Sequence, residues 1–404
     1  MKIAHVYDEH YRVSPEKGSV AKVIYNLATT QSQLGHDVTV IERKWSGLPK
    51  NEQREGVKFK RFSLSIGSDT EGEEIPYNQI KSAIGVSKLV ADRFELALKL
   101  RSHFGRTDYD VIHFHVPFTA NILVHICPQL RDKIVYTAHV GEEDVRFGLS
   151  KQGLISRALA MFSPDLHLMR RTAASSVLNK RLAAQLPLEQ IETIPNGVDI
   201  SEYSPENSDL VDLNDRFGIE SPFALFVGTL TPRKGPDVLL DAVSILDQKY
   251  NVNQFSIVIA GNPNIEEDFS AQLKEQAEAQ DVTVHFPGFI ELEELKALYA
   301  NCELFALPSH EEGWGMVITE AMSSESPIIA TNVSGIPEQV VDGENGFLIE
   351  PDNSEQLAEK LQVLIDDPDL REEMGSVSRS FAVEKFSWES VSEKYLSMYK
   401  STSQ

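Results

Sequence analysis

Short runs of Val, Ile, Leu and Phe alternate along the whole chain with segments that have helical periodicity. Runs that are apolar throughout, without the every-second-residue pattern of half-exposed strands, are typical of parallel strands covered by helices on both faces. The alternation occurs in two successive sets, separated by a polar, proline-containing stretch at residues 201–221. The sequence therefore predicts an α/β protein with two doubly wound, Rossmann-like domains. A length of 404 residues suits two cores of ordinary size better than one.

The predicted strands fall into these two sets. In the first set they are Lys2–Tyr7, Asp37–Glu42, Val111–His115, Ile134–Ala138, Ala174–Leu178 and Gln190–Ile194. In the second set they are Phe223–Val227, Phe255–Ile259, Val282–Phe286, Leu304–Leu307, Pro327–Ala330 and Gly346–Ile349.

We predict four segments. Residues 1–200 form an N-terminal domain, residues 201–221 a linker, residues 222–384 a C-terminal domain, and residues 385–404 a C-terminal helix that packs back on the first domain. Ligands of open α/β sheets bind beyond the carboxyl ends of the strands. A cleft between the two domains is therefore the expected site.

Charge is distributed unevenly along the chain. The formal net charge is −23, but residues 1–200 contain 26 Lys+Arg and 23 Asp+Glu, whereas the remainder contains 12 and 38. The acidic second half argues against nucleic acid as a partner. The basic stretch Arg43–Arg61 can attract anionic lipid head groups or substrate phosphates, or it is an ordinary solvated face.

Several features predict a cytoplasmic protein. The apolar start of the chain is a predicted strand and not a secretory signal. No run reaches the roughly 18 apolar residues of a membrane span. The two cysteines, Cys127 and Cys302, lie in separate apolar runs, which fits a reducing compartment. With the basic stretch, these features predict a cytoplasmic protein that contacts the inner face of the membrane peripherally.

The segment Leu304–Met322 places polar groups directly after a predicted strand. A loop with Glu312 follows the strand, then the turn Gly313-Trp314-Gly315, then a helix from about Met316 that carries Glu320. Glycines allow the backbone to approach a ligand closely, and the first N–H groups of a helix favour phosphate or sugar oxygens. Carboxylates accept hydrogen bonds from paired hydroxyls. Alternatively, Glu312 caps the helix and Glu320 is solvated.

A second motif, Val227–Gly235 (VGTLTPRKG), also begins at a strand end. It turns at Gly228 and presents Arg233 and Lys234 just before a helix. Two cations in this position can neutralise a diphosphate. The alternative is a basic helix start on the surface.

The first domain supplies a glycine and three histidines. Gly18 precedes a helix, where backbone N–H groups can face a phosphate. His113, His115 and His139 end two predicted strands. The His-x-His spacing suggests a metal site, but no nearby carboxylate or cysteine cluster completes one, so we expect no metal.

These motifs together resemble a known family. The pattern S-x-x-E-G-W-G-x4-E-A-M, from Ser309 to Met322, resembles the E-x7-E signature of the retaining glycosyltransferases of family 4, which have the two-domain GT-B fold. Ile194–Asp199 (IPNGVD) resembles the family's hinge segment. The family usually has Gly-Gly where this chain has Gly18-Ser19, and Gly-Arg where it has Gly228-Thr229.

The resemblance implies that residues 1–200 form the acceptor-side domain and residues 222–384 the nucleotide-sugar-binding domain, and it implies a role for each site residue. Glu312 would contact hydroxyls of the donor sugar and Glu320 the nucleotide ribose. Lys234, with Arg233 in place of the missing arginine, would bind the diphosphate. His139 would lie beside the donor sugar and the leaving group. The remaining assignments are Gly18, Gly228, Gly313, Trp314, Gly315 and Met316 to donor binding, and His113 and His115 to the acceptor side.

The implied reaction moves a hexosyl unit from a nucleoside diphosphate sugar to a hydroxyl of a saccharide or lipid-linked acceptor, with retention and without metal or cofactor. His139 and Glu312 are then the residues nearest the chemistry. Synthesis of an envelope polysaccharide or glycolipid is the expected setting.

Three alternatives stay open at this stage. A sugar-nucleotide epimerase can have the same two-domain fold, although it does not need the E-x7-E spacing. A starch or glycogen synthase should carry Lys-x-Gly-Gly near the N-terminus, which Lys17-Gly18-Ser19 does not match. A non-catalytic nucleotide-sugar-binding protein is the alternative from a different functional class.

Overall fold

The chain consists of two compact units. The computed structural model describes residues 1–9, 11–16, 19–66, 69–70, 83–139, 163–188, 191–220, 222–250, 255–263, 266–278, 283–288 and 290–402. Unit 1 comprises Met1–Asn196 with Trp388–Gln404, and unit 2 comprises Gly197–Ser387. Each unit is an α/β sandwich around a largely parallel sheet, so the predicted pair of Rossmann-like domains is confirmed.

Unit 1 contains an eight-stranded sheet in the order β3-β4-β2-β1-β5-β6-β7-β8. Its strands are β1 Lys2–Val6, β2 Asp37–Arg43, β3 Asn51–Arg54, β4 Val57–Phe62, β5 Val111–Phe114, β6 Ile134–Ala138, β7 Ala174–Val177 and β8 Glu192–Thr193. Its described helices are α1 Ser19–Gln33, α2 Ala83–Phe104, α3 Pro117–Ile126, α4 Pro164–Met169 and α5 Lys180–Gln185, together with the last helix of the chain, Trp388–Thr402. All neighbouring strands are parallel except β3 and β4, which form an antiparallel hairpin.

That hairpin corrects the interpretation of the basic stretch Arg43–Arg61. Strand β4 alternates buried and more exposed residues, as expected of a strand near a sheet edge. Arg61 is buried and donates from Nε to Glu42 Oε1 at 2.7 Å. Arg43 is also buried and pairs with Asp92 at 2.6 Å. Two of the cations therefore neutralise internal carboxylates and do not form a surface patch.

Unit 2 contains a six-stranded, wholly parallel sheet in the order β11-β10-β9-β12-β13-β14. Its strands are β9 Phe223–Val227, β10 Ser256–Ala260, β11 Val284–Gly288, β12 Leu304–Leu307, β13 Ile328–Thr331 and β14 Gly346–Ile349. Its described helices are α6 Leu213–Phe217, α7 Pro236–Tyr250, α8 Glu267–Glu278, α9 Leu292–Asn301, α10 Met316–Ser323, α11 Ser354–Asp366 and α12 Pro368–Phe386. The last helix of the chain, α13 (Trp388–Thr402), belongs to unit 1.

The division between the units differs from the predicted linker at residues 201–221. It falls between Asn196 and Gly197, and the described part of the predicted linker belongs to unit 2. This stretch contains a 3-10 helix at Pro205–Asp209 and the short helix α6. Its polar residues act as helix caps: Ser204 accepts from the N–H of Glu206, and Asp212 from that of Asp215. Capping side chains made an ordered segment look like a linker.

Helix α13 packs on α1 and beside β7 within unit 1. Its buried face includes Tyr395 and Tyr399, both among the largest fully buried side chains of the described chain. Tyr399 bonds to a ring nitrogen of His113 on β5 at 2.7 Å. The last helix thus places phenol groups against the sheet of unit 1.

No helix within the described ranges is long and apolar enough to cross a membrane.

One glycine in unit 2 allows the loops that follow β9 and β12 to pack closely. Gly235 has φ +70° and lies between the 3-10 turn Pro232–Lys234 and α7. A Cβ at this position would lie 2.1 Å from the carbonyl oxygen of Pro308, which follows β12. Only glycine permits this approach, because a methyl group would overlap rigid backbone.

We predict that Gly235→Ala lowers the denaturation midpoint of unit 2 more than Gly218→Ala does. Gly218 has a similar φ of +67° but nothing within 4 Å of the added Cβ. The control therefore carries only the left-handed strain of about 1–2 kcal/mol, whereas Gly235→Ala adds the backbone clash. Urea unfolding of both variants measures the difference, and equal midpoints would contradict the close packing at Pro308.

Candidate functional site

The first part of the candidate site, in unit 2, contains an ion pair between Lys234 and Glu312. Their side chains are 14% and 6% exposed. Lys234 ends the short turn after β9, and Glu312 lies in the loop after β12. Strands β9 and β12 are neighbours in the sheet, so their carboxyl ends place the two loops side by side. The predicted diphosphate-binding lysine and sugar-binding glutamate thus contact each other.

Further hydrogen bonds hold Glu312 in position. Ser309, which is fully buried, donates from its hydroxyl to Glu312 Oε1 at 3.1 Å. The hydroxyl of Thr331, at the end of β13, donates to the carbonyl oxygen of Ser309. Residues at the ends of the neighbouring strands β9, β12 and β13 therefore all help to position the Glu312 carboxylate. A group positioned in this way needs little reorganisation when a ligand arrives.

The turn before α10 is formed by glycine geometry. Gly315 is the N-cap residue, in the left-handed conformation at φ +67°, and it offers no side-chain cap. Gly313 and Met316, on either side of it, are partly exposed. Ile318 donates its N–H to the carbonyl oxygen of Gly315 at 2.9 Å, so the N–H groups of Met316 and Val317 are the ones at this helix start that can face an anion.

Trp314 does not have the position expected of a donor-binding side chain. Its side chain is buried, and its ring packs edge-on against Phe386 with centroids 5.5 Å apart. Gln339 donates to the carbonyl oxygen of Trp314. The indole therefore anchors the turn to α12.

Glu320 is held by tyrosines and not by the lysine. Tyr299, on α9, donates its hydroxyl to Glu320 Oε2 at 3.0 Å. Tyr203 also hydrogen-bonds to this carboxylate. Burial and the charge of Glu320 raise the pKa of both phenols. Both tyrosines therefore remain protonated donors that orient the carboxylate.

Three other predicted donor-site residues have different environments. Arg233 is exposed, and its guanidinium donates to the carbonyl oxygen of Glu311 at 3.1 Å. Gly228 is half-buried, and a Cβ there would lie 3.3 Å from the ring of Phe226. Gly18 lies outside the described residues.

In unit 1, His113 and His115 are internal residues, in contrast to the predicted acceptor-side position. His113 is fully buried, and its ring nitrogens bond to Tyr399 and to Thr137 Oγ1, both at 2.7 Å. His115 is 1% exposed. Neither side chain can touch an acceptor in this arrangement. They face inward because helices α1 and α13 cover this side of the sheet.

His139 lies at the end of β6 and belongs to a chain of histidines. Its Nε2 is 3.0 Å from Nδ1 of His115. Nε2 of His115 is in turn 3.0 Å from Nδ1 of His5 on β1. Nε2 of His5 is 2.9 Å from the amide oxygen of Gln31 on α1. His139 is the only half-buried ring among these three histidines, so it is the one a ligand can reach.

The environment keeps these histidines neutral. Burial lowers the pKa of His5 and of His139 to about 4. Burial, followed by the neighbouring histidines, lowers the pKa of His113 and His115 well below the usual value. At neutral pH all four imidazoles are therefore uncharged, each with one donor and one acceptor nitrogen.

His5, His113 and His115 also form a group with metal-ligand geometry. Their candidate ligand atoms lie within 4.8 Å of one another. Each ring nitrogen of these residues, however, already has a hydrogen-bond partner in the described part of the chain. A metal would have to displace those bonds, so the residues fit a hydrogen-bonded network better.

Sequence reasoning did not identify His5, Gln31, Tyr299 and Tyr203. The sequence signal for His5 is that it is a polar residue inside the otherwise apolar part of the strand Lys2–Val6. Gln31 could not be recognised, because one buried polar residue on a helix has no pattern. No sequence pattern distinguishes these two tyrosines from ordinary aromatic core residues.

The comparisons with known proteins agree with the fold. The model described as "Glycosyl transferases group 1" matches residues 215–381, and that described as "Glycosyltransferase Family 4" matches residues 20–202. The D-inositol 3-phosphate glycosyltransferase of Corynebacterium glutamicum is 31% identical over 216 residues, which are 52% of this chain and 51% of that protein. The chain spans about half the length of the first curated relatives it matches, 44% and 51%.

Two solved structures resemble the whole chain. Sucrose-phosphate synthase from Thermosynechococcus elongatus superposes with a TM-score of 0.74 at 19% identity, over 99% of this chain and 98% of that one. HepE of Anabaena, solved with UDP and glucose, has a TM-score of 0.67 at 21% identity, over 99% and 100%. At these identities the likeness concerns the fold alone. The two family models cover most of the chain from residue 20 to residue 381, and the chain therefore belongs to the family 4 glycosyltransferases of the GT-B fold.

Proposed function

We propose that this protein transfers a hexosyl unit from a nucleoside diphosphate sugar to a hydroxyl group of an acceptor, with retention of configuration. The observation that carries the proposal is the largely buried pair of Lys234 and Glu312 beside the start of α10. A cation, a carboxylate and a helix N-terminus in one place match the three parts of such a donor. These parts are the diphosphate, the sugar hydroxyls and the negative charge that develops on the leaving group.

The ion pair is suited to exchange its partners when the donor binds. Without donor, each charge neutralises the other, which avoids an isolated charge in a poorly solvated position. A diphosphate offers Lys234 a stronger partner, and sugar hydroxyls offer Glu312 replacement donors. Binding would then exchange one ion pair for two sets of contacts without leaving a buried charge uncompensated.

Glu320 fits a different part of the donor. Tyr299 and Tyr203 hold its carboxylate on α10, and an ionised carboxylate can accept from the two hydroxyls of a ribose. The solved HepE structure contains UDP, which supports a uridine nucleotide as the first donor to try.

In unit 1, His139 is the residue proposed to face the donor sugar. Arg233, which is exposed, would contribute to the diphosphate from the outside of the loop. Gly228, Gly313, Gly315 and Met316 would contribute backbone only. No residue here is proposed as a nucleophile, and retention would follow from attack on the face that the departing phosphate leaves.

The acceptor is proposed to be a saccharide or a lipid-linked sugar. The inositol phosphate named for the corynebacterial relative is a polyol and supports only a hydroxyl-bearing acceptor. Peripheral contact with a membrane is part of the same proposal. Its support no longer includes Arg43 or Arg61, because both are buried in ion pairs. Reaction without a metal or cofactor is also a proposal, and activity in the presence of a chelator tests it.

We predict that Lys234→Met weakens UDP binding about 10- to 100-fold, the equivalent of one charge-assisted contact of roughly 1.5–3 kcal/mol. Arg233→Met should weaken it less, because the guanidinium is exposed and already bonded to the Glu311 carbonyl. Titration calorimetry with UDP measures both. Removal of Lys234 leaves Glu312 unpaired, so Lys234→Met/Glu312→Gln serves as the variant that folds without a buried charge. Normal UDP affinity in that double variant would contradict the diphosphate assignment.

The two glutamates should separate when UDP and UDP-sugar are compared. Glu312→Gln should weaken binding of UDP-glucose, or of whichever UDP-sugar binds, by about tenfold or more. UDP alone should bind at least as tightly as before, because Lys234 no longer has to leave a carboxylate partner. Glu320→Gln should weaken both ligands to a similar degree, because both contain the ribose. If Glu312→Gln lowers affinity for UDP and UDP-sugar equally, the sugar-hydroxyl role of Glu312 is wrong.

A further inference from the structure

A continuous hydrogen-bonded chain connects helix α1 to the end of β6 in unit 1. It runs from the Gln31 amide through His5 and His115 to His139, with links of 2.9, 3.0 and 3.0 Å. Each link joins two atoms that share a single hydrogen. The position of that hydrogen at one end therefore determines all the others.

Gln31 gives the chain a direction. Its amide oxygen can only accept, so Nε2 of His5 carries the hydrogen. A neutral imidazole has one N–H, so Nδ1 of His5 accepts and Nε2 of His115 donates. By the same reasoning Nδ1 of His115 accepts from Nε2 of His139.

The polar groups beside His115 already have hydrogen-bond partners of their own. The ring of His113 lies beside that of His115, with centroids 4.1 Å apart and planes tilted by 34°. Both nitrogens of His113 are occupied by Tyr399 and Thr137. Thr137 is in turn 2.7 Å from the hydroxyl of Ser176. His113 is therefore not available to His115, which bonds to His5 and His139.

We propose that Gln31, acting through His5 and His115, fixes His139 in the tautomer protonated at Nε2, so that Nδ1 of His139 accepts a hydrogen bond from a hydroxyl of the donor sugar. The identity of this ligand rests on the proposed function, but the tautomer is a property of the unliganded chain. Within the described residues His139 has no second hydrogen-bond partner. Gln31, His5 and His115 are positioning residues, and His139 alone would touch the sugar.

The histidines should remain neutral well below the pH at which a free imidazole protonates. Burial disfavours the charged form, so the pKa of His5 and His139 falls to about 4. No carboxylate of the described chain contributes to these shifts. Nitrogen-15 shifts of these rings should stay unchanged from pH 8 to about 5.5, whereas a free histidine is half-protonated near 6.5. Midpoints near 6.5 for His139 would contradict the burial of the chain.

The direct test is the tautomer of His139 in the full chain labelled with nitrogen-15 histidine. Two-bond nitrogen–proton correlation spectra at neutral pH should show His5, His115 and His139 all protonated at Nε2. A hydrogen on Nδ1 of His139, or an even mixture, would overturn the proposal, because it means that the Gln31 amide is reversed or does not set the direction. Metal in stoichiometric amount in the purified chain would also overturn it, since an ion on His5 and His115 replaces the links.

Variants of Gln31 test whether the chain matters for turnover. Gln31→Met removes the acceptor, Gln31→Glu retains one, and Gln33→Met is the control on the same helix at an exposed position. We expect Gln31→Met to give mixed His139 tautomers and to lower kcat/KM for the donor sugar by about tenfold, the equivalent of one neutral hydrogen bond. Gln31→Glu should restore the tautomer and shift the pH profile of turnover upward, because a carboxylate raises the basicity of the chain.

UDP binding distinguishes a failure of the role proposed for Gln31 from a failure of the proposed function. UDP affinity should be equal in wild type and all three variants, because the UDP site is proposed in unit 2. Wild-type tautomer and turnover in Gln31→Met would overturn the role of Gln31. If no variant, nor the wild type, binds UDP or any donor, the proposed function fails, while the spectra still decide the tautomer.

Discussion

Burial of both faces of a parallel sheet is the constraint on which the rest of this molecule depends. Strands such as β12 and β13 are buried at every position, so a polar side chain on them must find a partner within the protein. Unit 1 satisfies this with an internal network of His5, His113 and His115. In unit 2 the polar groups follow the strands, at the carboxyl edge of the sheet. Both arrangements place the candidate functional groups where parallel strands end.

Backbone sterics determine how close these groups come. Gly235 allows the loop after β9 to touch the backbone after β12, and this approach lets Lys234 reach Glu312. Gly315, in the left-handed conformation, begins α10 without a capping side chain. The charges of the site are thus positioned by two glycines that have no functional groups of their own. In the proposed function, this cation and the helix start would stabilise the charge that develops on the leaving group.

The parts of this structure that could be predicted depend on local pattern, and the parts that could not depend on distant partners. The run Leu304–Leu307 is apolar throughout and is a strand with those bounds. Strand β4 was missed because its charged residues suggested a surface patch. Only the fold shows that Arg61 meets Glu42. The inward direction of His113 likewise depends on Tyr399, from the last helix of the chain. The glycines beside Trp314 were recognised, but the packing of its ring depends on Phe386.

A crystal structure of the chain with a bound nucleoside diphosphate sugar tests the central claim most directly. The account predicts that Lys234 leaves Glu312 to contact a diphosphate oxygen, that Glu312 accepts from a sugar hydroxyl, and that Glu320 accepts from the ribose while still bonded to Tyr299. A donor bound elsewhere in unit 2, with the pair of Lys234 and Glu312 intact, would contradict it.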